Sequence, residues 1–205
     1  MIDFPTLFGL GVLSFITYEY FSDNELIYVQ STIDGQKYQV RNLPDKQQAA
    51  DLMAKMNQKI LKLIDILKRD YSENPVAQLV VQNYTPSALS ESLSNSEYTS
   101  YAVNKGEKLV FCMREKDAKQ ELVNENLMTF VTIHEVAHLG TKSVGHTPEF
   151  WDNFKFLLEV ATLNGLYHPD DYSKKPQPYC GMDVTTTPLD EKFMEKFNMS
   201  GTVHL

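Results

Sequence analysis

Short runs rich in β-branched and aromatic residues, bounded by polar turn residues, occur as two pairs along the chain. The first pair, 25–33 and 36–41, is separated by Asp34-Gly35, which is a strong signal for a two-residue turn. The second pair, 98–103 and 108–113, flanks a short polar segment that contains a glycine. The pattern therefore predicts two β-hairpins.

A helical spacing of apolar residues occupies the region between these hairpins. Pro44-Asp45 opens a long amphipathic stretch whose apolar stripe continues to Leu67, with its lysines on the water-facing side. Residues 74–84 predict a shorter helix, and the serine-rich segment 85–97 predicts a surface connection. This mixture of helices and hairpins predicts an α+β fold.

Two further helices are predicted in the second half of the chain. Apolar residues recur at roughly helical spacing from 121 to 139, and Gly140 offers a natural stop. Thr147 can cap the next helix, Pro148 fits its first helical position, and the apolar pattern continues to about residue 163. A short, turn-rich segment therefore joins the two helices.

That region also holds three of the chain's five histidines. His134 and His138 are four positions apart, and a helix of about 3.6 residues per turn places them on one face, where both imidazoles can bind one ion. With Glu135 between them, this is the zinc-peptidase motif, in which the histidines bind zinc and the glutamate is the general base. A catalytic zinc needs a third protein ligand, and His146 at the entrance of the next helix is the candidate.

The motif could also arise by chance or belong to a structural zinc site. A HExxH string can occur in any ordinary helix, but the nearby Gly145-His146 pair supplies the missing third ligand and argues against chance. A structural zinc is usually enclosed by four ligands, commonly cysteines, whereas this cluster has three histidines and no cysteine pair nearby. The residues therefore favour a catalytic zinc site.

Segments 134–138 and 145–151 together resemble the WLM family of metallopeptidases and its SprT-like relatives, and the resemblance covers residues 98–166. It implies a small zincin core that hydrolyses peptide bonds in a protein or peptide substrate. It also implies that Glu135 is the general base and that three histidines bind one Zn²⁺ ion: His134, His138 and His146. Similar WLM-like proteins of large DNA viruses often carry an apolar N-terminal segment.

The hairpin just ahead of the motif suggests how a substrate would bind. In zincin-type enzymes a strand beside the active-site helix can pair with an extended substrate and recognise its backbone. The strands at 98–103 and 108–113 lie in the right place for this. An internal strand with both edges already paired is equally compatible with the sequence.

The charge of the chain bears on its partners. A net charge of −8 argues against a phosphate-binding surface, because nonspecific nucleic-acid affinity comes mostly from lysine and arginine. WLM and SprT proteins that cut DNA–protein crosslinks usually carry basic regions or zinc-finger modules, and the sequence displays neither. Nucleic acid is therefore not the expected main partner, and a DNA-repair protease is the weakest of the candidate functions.

The N-terminal residues form a second informative region. Residues 4–18 carry no charge and are followed by aromatic residues, but a spanning helix needs about 20 residues. The run predicts a membrane anchor over 4–21. The alternatives are a segment packed on the core and a signal peptide. Without an anchor, the protein is expected to be intracellular. The expected organisation is this segment at 1–22, a catalytic domain at 23–190 and a tail at 191–205.

Cysteines and tyrosines add weaker candidates. Two cysteines, Cys112 and Cys180, are too few for a disulfide scaffold, so reduced thiols are expected. A single disulfide between them is the alternative. Cys180 is also a weaker candidate for a residue that approaches the zinc. The proline-rich segment 169–188 is expected to wrap the domain. A tyrosine from this region would stabilise the oxyanion, with Tyr179 preferred to two others: Tyr167 and Tyr172.

The sequence as a whole predicts a one-domain α+β zinc metallopeptidase of zincin type, with Glu135 and Tyr179 as catalytic residues. The alternative is a noncatalytic, zinc-stabilised binding module, which could also be tethered to a membrane. The intact Glu135 argues against this alternative, because loss of catalysis would most simply appear as a substituted glutamate.

Overall fold

The computed structural model describes residues 25–85, 89–104 and 107–200, with side chains described to residue 197. Its strands are β1 Leu26–Gln30, β2 Lys37–Arg41, β3 Leu89–Glu91, β4 Tyr101–Val103, β5 Lys108–Phe111, β6 Gln177–Tyr179 and β7 Met182–Val184. Its helices are α1 Lys46–Asp70, α2 Pro75–Asn83, α3 Glu125–Leu139, α4 Pro148–Leu163 and α5 Glu191–Ser200. The predicted α+β class is confirmed.

The main sheet has the strand order β1-β2-β3-β5-β4, with antiparallel pairs at both ends and parallel pairs in the middle. Helix α1 packs its apolar stripe, including Met53, Met56 and Ile60, into the core beneath this sheet. The same helix carries Lys55 and Lys59, whose ammonium groups lie 2.8 and 3.3 Å from the carboxylate of Glu125. These ion pairs connect α1 to the first residue of α3.

Both predicted hairpins are confirmed as strand pairs, but the first turn is longer than expected. Strand β1 ends at Gln30 and β2 begins at Lys37, so the loop is not the predicted two-residue turn. The backbone N–H of Ser31 donates to the carbonyl of Gln36 at 2.8 Å and closes this loop. Gly35 adopts a φ of +72° within it, which explains the glycine.

The prediction of a surface connection over 85–97 was wrong, because this segment contains β3, whose three residues are all buried. Strand β3 is central and lies parallel to both β2 and β5. Glu91 in this strand is buried because the guanidinium of Arg114 lies 2.8 Å from its carboxylate. A polar residue that is paired in this way hides a buried strand from a hydrophobicity pattern.

The predicted helices are confirmed, with one shift in a boundary. Helix α3 begins at Glu125 rather than near 121, because the side chain of Asn124 accepts from the N–H of Leu127 at 2.9 Å and caps the helix. The preceding residues instead pair with the chain after β5, as the N–H of Val123 donates to the carbonyl of Met113 at 2.9 Å.

The proline-rich segment contains a second sheet that the sequence reasoning missed. Strands β6 and β7 form a hairpin whose turn, Cys180-Gly181, has positive φ at both residues. This turn conformation suits the twist of a two-residue hairpin. A disulfide joins Cys180 to Cys112, just after β5. The expectation of reduced thiols was therefore wrong, and so was the suggestion that Cys180 approaches the zinc.

The terminal predictions fall largely outside this structure. Residues 1–24 lie outside the described part of the chain, and with them the predicted anchor at 4–21. Within the described residues, no helix has the length and apolar character required to cross a membrane. Part of the predicted tail at 191–205 is helix α5.

Candidate metal centre

Helix α3 places two of the three predicted ligands on one face. The rings of His134 and His138 lie 5.1 Å apart between centroids, one helical turn from each other. Gly140 ends the helix directly after them, and its N–H donates to the carbonyls of Val136 and Ala137. The helix therefore presents both imidazoles at its C-terminal end.

The loop after α3 turns His146 back toward this face. The carboxylate of Glu149 accepts from the N–H groups of Lys142 and Ser143, each at 3.1 Å, and holds the loop against the start of α4. Gly145 takes a φ of +82°, which lets the chain reverse just before His146. The loop geometry thus comes from side chains at the start of α4 and from one glycine.

The three histidines converge on one point. Nε2 of His146 lies 3.0 Å from Nε2 of His134. Each of His134, His138 and His146 contributes one ring nitrogen, and these three nitrogens lie within 4.8 Å of one another. Two lone pairs that face each other at this distance need either a proton or a cation between them. The donor set, three imidazoles without a thiolate, is one that zinc binds in catalytic sites.

Aromatic side chains of α4 pack against the imidazole rings. The buried ring of Phe150 stacks on His138 with centroids 4.3 Å apart and meets His134 at 4.8 Å. Phe154 contacts the His134 ring at 5.1 Å. These contacts fix the ring orientations that a three-ligand site requires.

Burial also controls the protonation of these histidines. Desolvation lowers the pKa of His134 to about 3, and repulsion from the neighbouring histidines adds to this. Desolvation, with added repulsion from His146, lowers the pKa of His138 to about 4. Both imidazoles are therefore neutral near pH 7, which is the form that binds a metal.

Glu135 lies beside this cluster in an unusual environment. The residue is only 3% exposed, and burial raises the pKa of its carboxyl group to about 8. Its Oε2 atom is buried without a hydrogen-bond partner among the described residues. A buried polar atom without a partner costs stability, which makes it a marker for a functional site.

A cavity of about 670 Å³ opens over these residues. It is lined by His134, Glu135, His138 and His146, and also by Tyr179 of β6 and Ser100 just before β4. The hydroxyl oxygens of Tyr179 and Ser100 lie 2.6 Å apart. Of the three candidate tyrosines, the structure brings only Tyr179 to the cavity. Tyr167 and Tyr172 are instead buried elsewhere, with their hydroxyl oxygens 3.5 Å apart.

The mouth of the cavity is mostly apolar. Four large apolar residues that are exposed to solvent lie on its wall: Tyr101, Val144, Trp151 and Met182. No lysine or arginine is among the described residues that line it. Strand β4 forms one side of the cavity, lies next to α3 and ends the five-stranded sheet as described. Its outer edge is therefore unpaired among the described residues.

Sequence reasoning missed several residues that build this centre. Glu149 and Phe150 lie in the segment 145–151 that carries the resemblance, but the sequence assigns them no role, and Ser100 lies in no motif. Their roles emerge only when α4 and β4 are packed against α3. An acidic residue in the first turn of a helix was a usable signal for Glu149, since that position favours negative charge. No comparable sequence signal pointed to Ser100.

Comparison with known proteins finds viral relatives. The chain is 31% identical to uncharacterized protein R325 of Acanthamoeba polyphaga mimivirus over 165 residues, which is 78% of this chain and 83% of R325. It is 34% identical over 82 residues to uncharacterized protein 136R of Invertebrate iridescent virus 6, covering 40% of this chain and 44% of that protein. Uncharacterized protein 042R of Invertebrate iridescent virus 3 is 34% identical over 86 residues, covering 40% of this chain and 50% of 042R.

Neither family models nor solved structures add a relative. No family model matches the chain, and no solved structure matches it. Family membership therefore rests on R325, whose similarity extends over most of both chains. The chain belongs to the same protein family as R325 of Acanthamoeba polyphaga mimivirus.

Proposed function

We propose that this protein is a zinc-dependent metallopeptidase of the zincin type that hydrolyses peptide bonds in a protein or peptide substrate. The observation that carries the proposal is the convergence of three imidazoles on one point beside a buried, unpartnered glutamate. Each feature alone could have a purely structural role. Their combination in one open cavity is what a metal-assisted hydrolase requires.

Zinc is the ion that fits this donor set best. Three neutral imidazoles leave a fourth position open, which separates a catalytic site from a closed structural one. The ligands are His134, His138 and His146. When bound, zinc supplies Lewis-acid chemistry, which polarises a carbonyl and lowers the pKa of water.

Glu135 is the general base in this proposal. Its carboxylate takes a proton from the attacking water and then delivers that proton to the leaving amine. Burial keeps the carboxyl group out of bulk water, so its pKa lies near the working range of a proton-transfer group. A nearby cation would lower this pKa and keep the group ionised before the attack.

Tyr179 is proposed to stabilise the oxyanion. Its ring is buried at the cavity wall, and its hydroxyl makes a hydrogen bond with Ser100. A donor held in advance where negative charge develops stabilises the transition state more than the ground state. Tyr179 supplies such a donor, and the carbonyl oxygen of the substrate accepts from it.

The substrate in this proposal is an extended, apolar segment of polypeptide. The outer edge of β4 offers backbone N–H and C=O groups to a parallel or antiparallel partner strand. The apolar mouth, with Trp151 and Met182 on its wall, accommodates large apolar side chains. Folded proteins bury such segments, so unfolded chains and flexible termini are the expected targets.

The test compares the zinc-loaded wild type with Glu135→Gln, using a mixture of unfolded polypeptides and mass spectrometry to detect new termini. Glu121→Gln makes the same change at an exposed position and serves as the control. The proposal predicts equal zinc content in all three proteins and loss of cleavage in Glu135→Gln alone. Cleavage at the wild-type rate by Glu135→Gln contradicts it.

One result of this test would favour a noncatalytic binding module over an enzyme. A wild type that binds one zinc ion but cleaves no polypeptide under any condition tested fits the noncatalytic binding module. In that case a pull-down with apolar peptides would distinguish a binding site from an inert fold. Intact Glu135 and the open cavity support the enzyme.

A further inference from the structure

Three groups form a continuous hydrogen-bonded path that ends at Tyr179. The backbone N–H of Cys112 donates to Oγ of Ser100 at 3.0 Å. Oγ of Ser100 lies 2.6 Å from the hydroxyl oxygen of Tyr179, and either oxygen can be the donor. The path therefore runs from the chain after β5, through the residue before β4, to the last residue of β6.

The same path is closed by a covalent bond. Cys112 supplies its first donor, and Cys180 follows Tyr179 directly in the chain. The disulfide between these cysteines fixes the distance between the two ends of the path. Ser100 thus bridges two backbone segments that cannot separate while the disulfide is intact.

Counting hydrogens gives the path a direction. Ser100 has one hydroxyl hydrogen, and Oγ already accepts the N–H of Cys112. If Tyr179 donates to Ser100, the tyrosine hydrogen is used and the serine hydrogen is left without an acceptor in this path. If Ser100 donates to Tyr179, both serine functions are satisfied and the tyrosine hydrogen is available to the cavity.

We propose that Ser100 is a positioning residue that donates to Tyr179 and leaves the hydroxyl hydrogen of Tyr179 for the oxyanion of the substrate. The inference rests on the proposed peptidase function. Each bond in the path polarises the next, so a hydroxyl that accepts from Ser100 becomes a stronger donor. Burial raises the pKa of Tyr179, and the bond to Ser100 opposes this rise.

The experiment is a double-mutant cycle with Ser100→Ala and Tyr179→Phe in the full-length, zinc-loaded protein. Removing an oxyanion donor costs about 100-fold in kcat, which is the loss expected for Tyr179→Phe. A single hydrogen bond contributes about 1 kcal/mol, so Ser100→Ala should lower kcat about fivefold with KM unchanged. In the Tyr179→Phe background, Ser100→Ala should cost nothing more.

Two further variants separate positioning from a general loss of packing. Ser100→Thr keeps the hydroxyl and should recover most of the turnover that Ser100→Ala loses. Ser90→Ala removes a buried hydroxyl that has no hydrogen-bond partner among the described residues, so it should leave turnover unchanged. Zinc content and melting temperature are measured for every variant to identify any that do not fold.

A binding measurement provides a readout independent of turnover. A peptide phosphinate carries a tetrahedral oxyanion, and its affinity is measured by calorimetry in the same four proteins of the cycle. Ser100→Ala should weaken phosphinate binding about fivefold in the wild-type background and leave it unchanged beside Tyr179→Phe. An unreactive peptide amide should bind all four proteins alike.

The outcomes are distinguishable. Equal losses from Ser100→Ala in both backgrounds mean that Ser100 does not act through Tyr179, and they overturn this inference while the peptidase stands. No effect of Tyr179→Phe in an active enzyme also overturns it. A zinc-loaded wild type that hydrolyses nothing and binds no phosphinate overturns the proposed function and this inference together.

Discussion

Nε2 of His146 lies 3.0 Å from Nε2 of His134, although the first residue belongs to a loop and the second to helix α3. The short distance depends on the sharp end of α3 at Gly140 and on the loop that Glu149 holds in place. It also depends on Phe150, whose ring lies 4.8 Å from each of these two imidazoles. The centre is therefore built as much by the start of α4 as by the HExxH helix.

The C-terminal end of helix α3 should be sensitive to a single methyl group. A Cβ at Gly140 would lie 2.8 Å from a methyl carbon of Val76 and 2.9 Å from one of Val80, both in α2. Gly140→Ala should therefore destabilise the protein by about 1–3 kcal/mol through overpacking. Urea unfolding measures this loss, and metal affinity should fall with it because the position of His138 depends on the end of α3.

A second variant checks the cause of that effect. Val76→Ala in the Gly140→Ala background removes one of the two close contacts and should recover part of the lost stability. A Gly140→Ala protein as stable as the wild type would contradict the close approach of α2 and α3.

The disulfide should contribute strongly to stability. It closes a loop with a sequence separation of 68 residues, for which chain entropy predicts about 4 kcal/mol. Reduction should lower the urea midpoint and loosen the β6–β7 hairpin that carries Tyr179. Equilibrium unfolding with and without a phosphine reductant measures the difference.

The control for this prediction is simple because the chain has only two cysteines. The double variant Cys112→Ser and Cys180→Ser should resemble the reduced wild type and be indifferent to the reductant. A wild type whose midpoint does not change on reduction would contradict a stabilising role for this bond.

Substrate preference should depend on Trp151. This residue is 39% exposed, lines the cavity and lies 6.0 Å from the ring of His146. Trp151→Ala should lower kcat/KM about tenfold for peptides with a large apolar side chain near the cleaved bond, since a lost apolar contact of this size costs about 1–3 kcal/mol. Peptides with small side chains there should change much less.

The matched measurement uses Met182→Ser on the β7 wall of the cavity. This variant should change the same preference without altering zinc content. Equal losses for large and small side chains in both variants would contradict an apolar selection site.

Much of the fold could be predicted from local patterns. Helix α4 carries its signals within a few residues, as Thr147 caps it, Pro148 follows, and Gly165 with a φ of +69° comes after its end. The hairpins at β1–β2 and β4–β5 likewise have strand-forming residues on either side of a short polar segment. Predictions of this kind succeed because their physical causes are short-range.

The errors arise where long-range contacts decide the structure. Strand β3 has three residues, and its buried Glu91 is stabilised by Arg114, 23 positions away, and by the backbone N–H of Arg41, 50 positions away. The β6–β7 hairpin lies in a proline-rich segment, and the disulfide from Cys180 to Cys112 connects it to β5. Nothing in the local sequence reports such partners.

The candidate site likewise contains residues that local sequence patterns predict and residues that depend on long-range contacts. The spacing of His134, Glu135 and His138 follows from helix geometry and could be predicted without a structure. The position of His146 near these residues could also be predicted, because only a short loop separates it from α3. Tyr179 was the preferred of three tyrosines, and its presence in the cavity depends on the hairpin that was missed. Its catalytic role stays a prediction.

The most direct test of the central claim is the zinc content of the full-length protein after dialysis against a weak chelator, measured by mass spectrometry of the metal. His146→Ala is compared with His168→Ala, which makes the same change at an exposed histidine outside the cavity. A three-histidine centre predicts one zinc ion per chain in the wild type and in His168→Ala, and a sharp loss in His146→Ala. A wild type without zinc, or a His146→Ala protein that keeps all of it, would contradict the three-histidine centre.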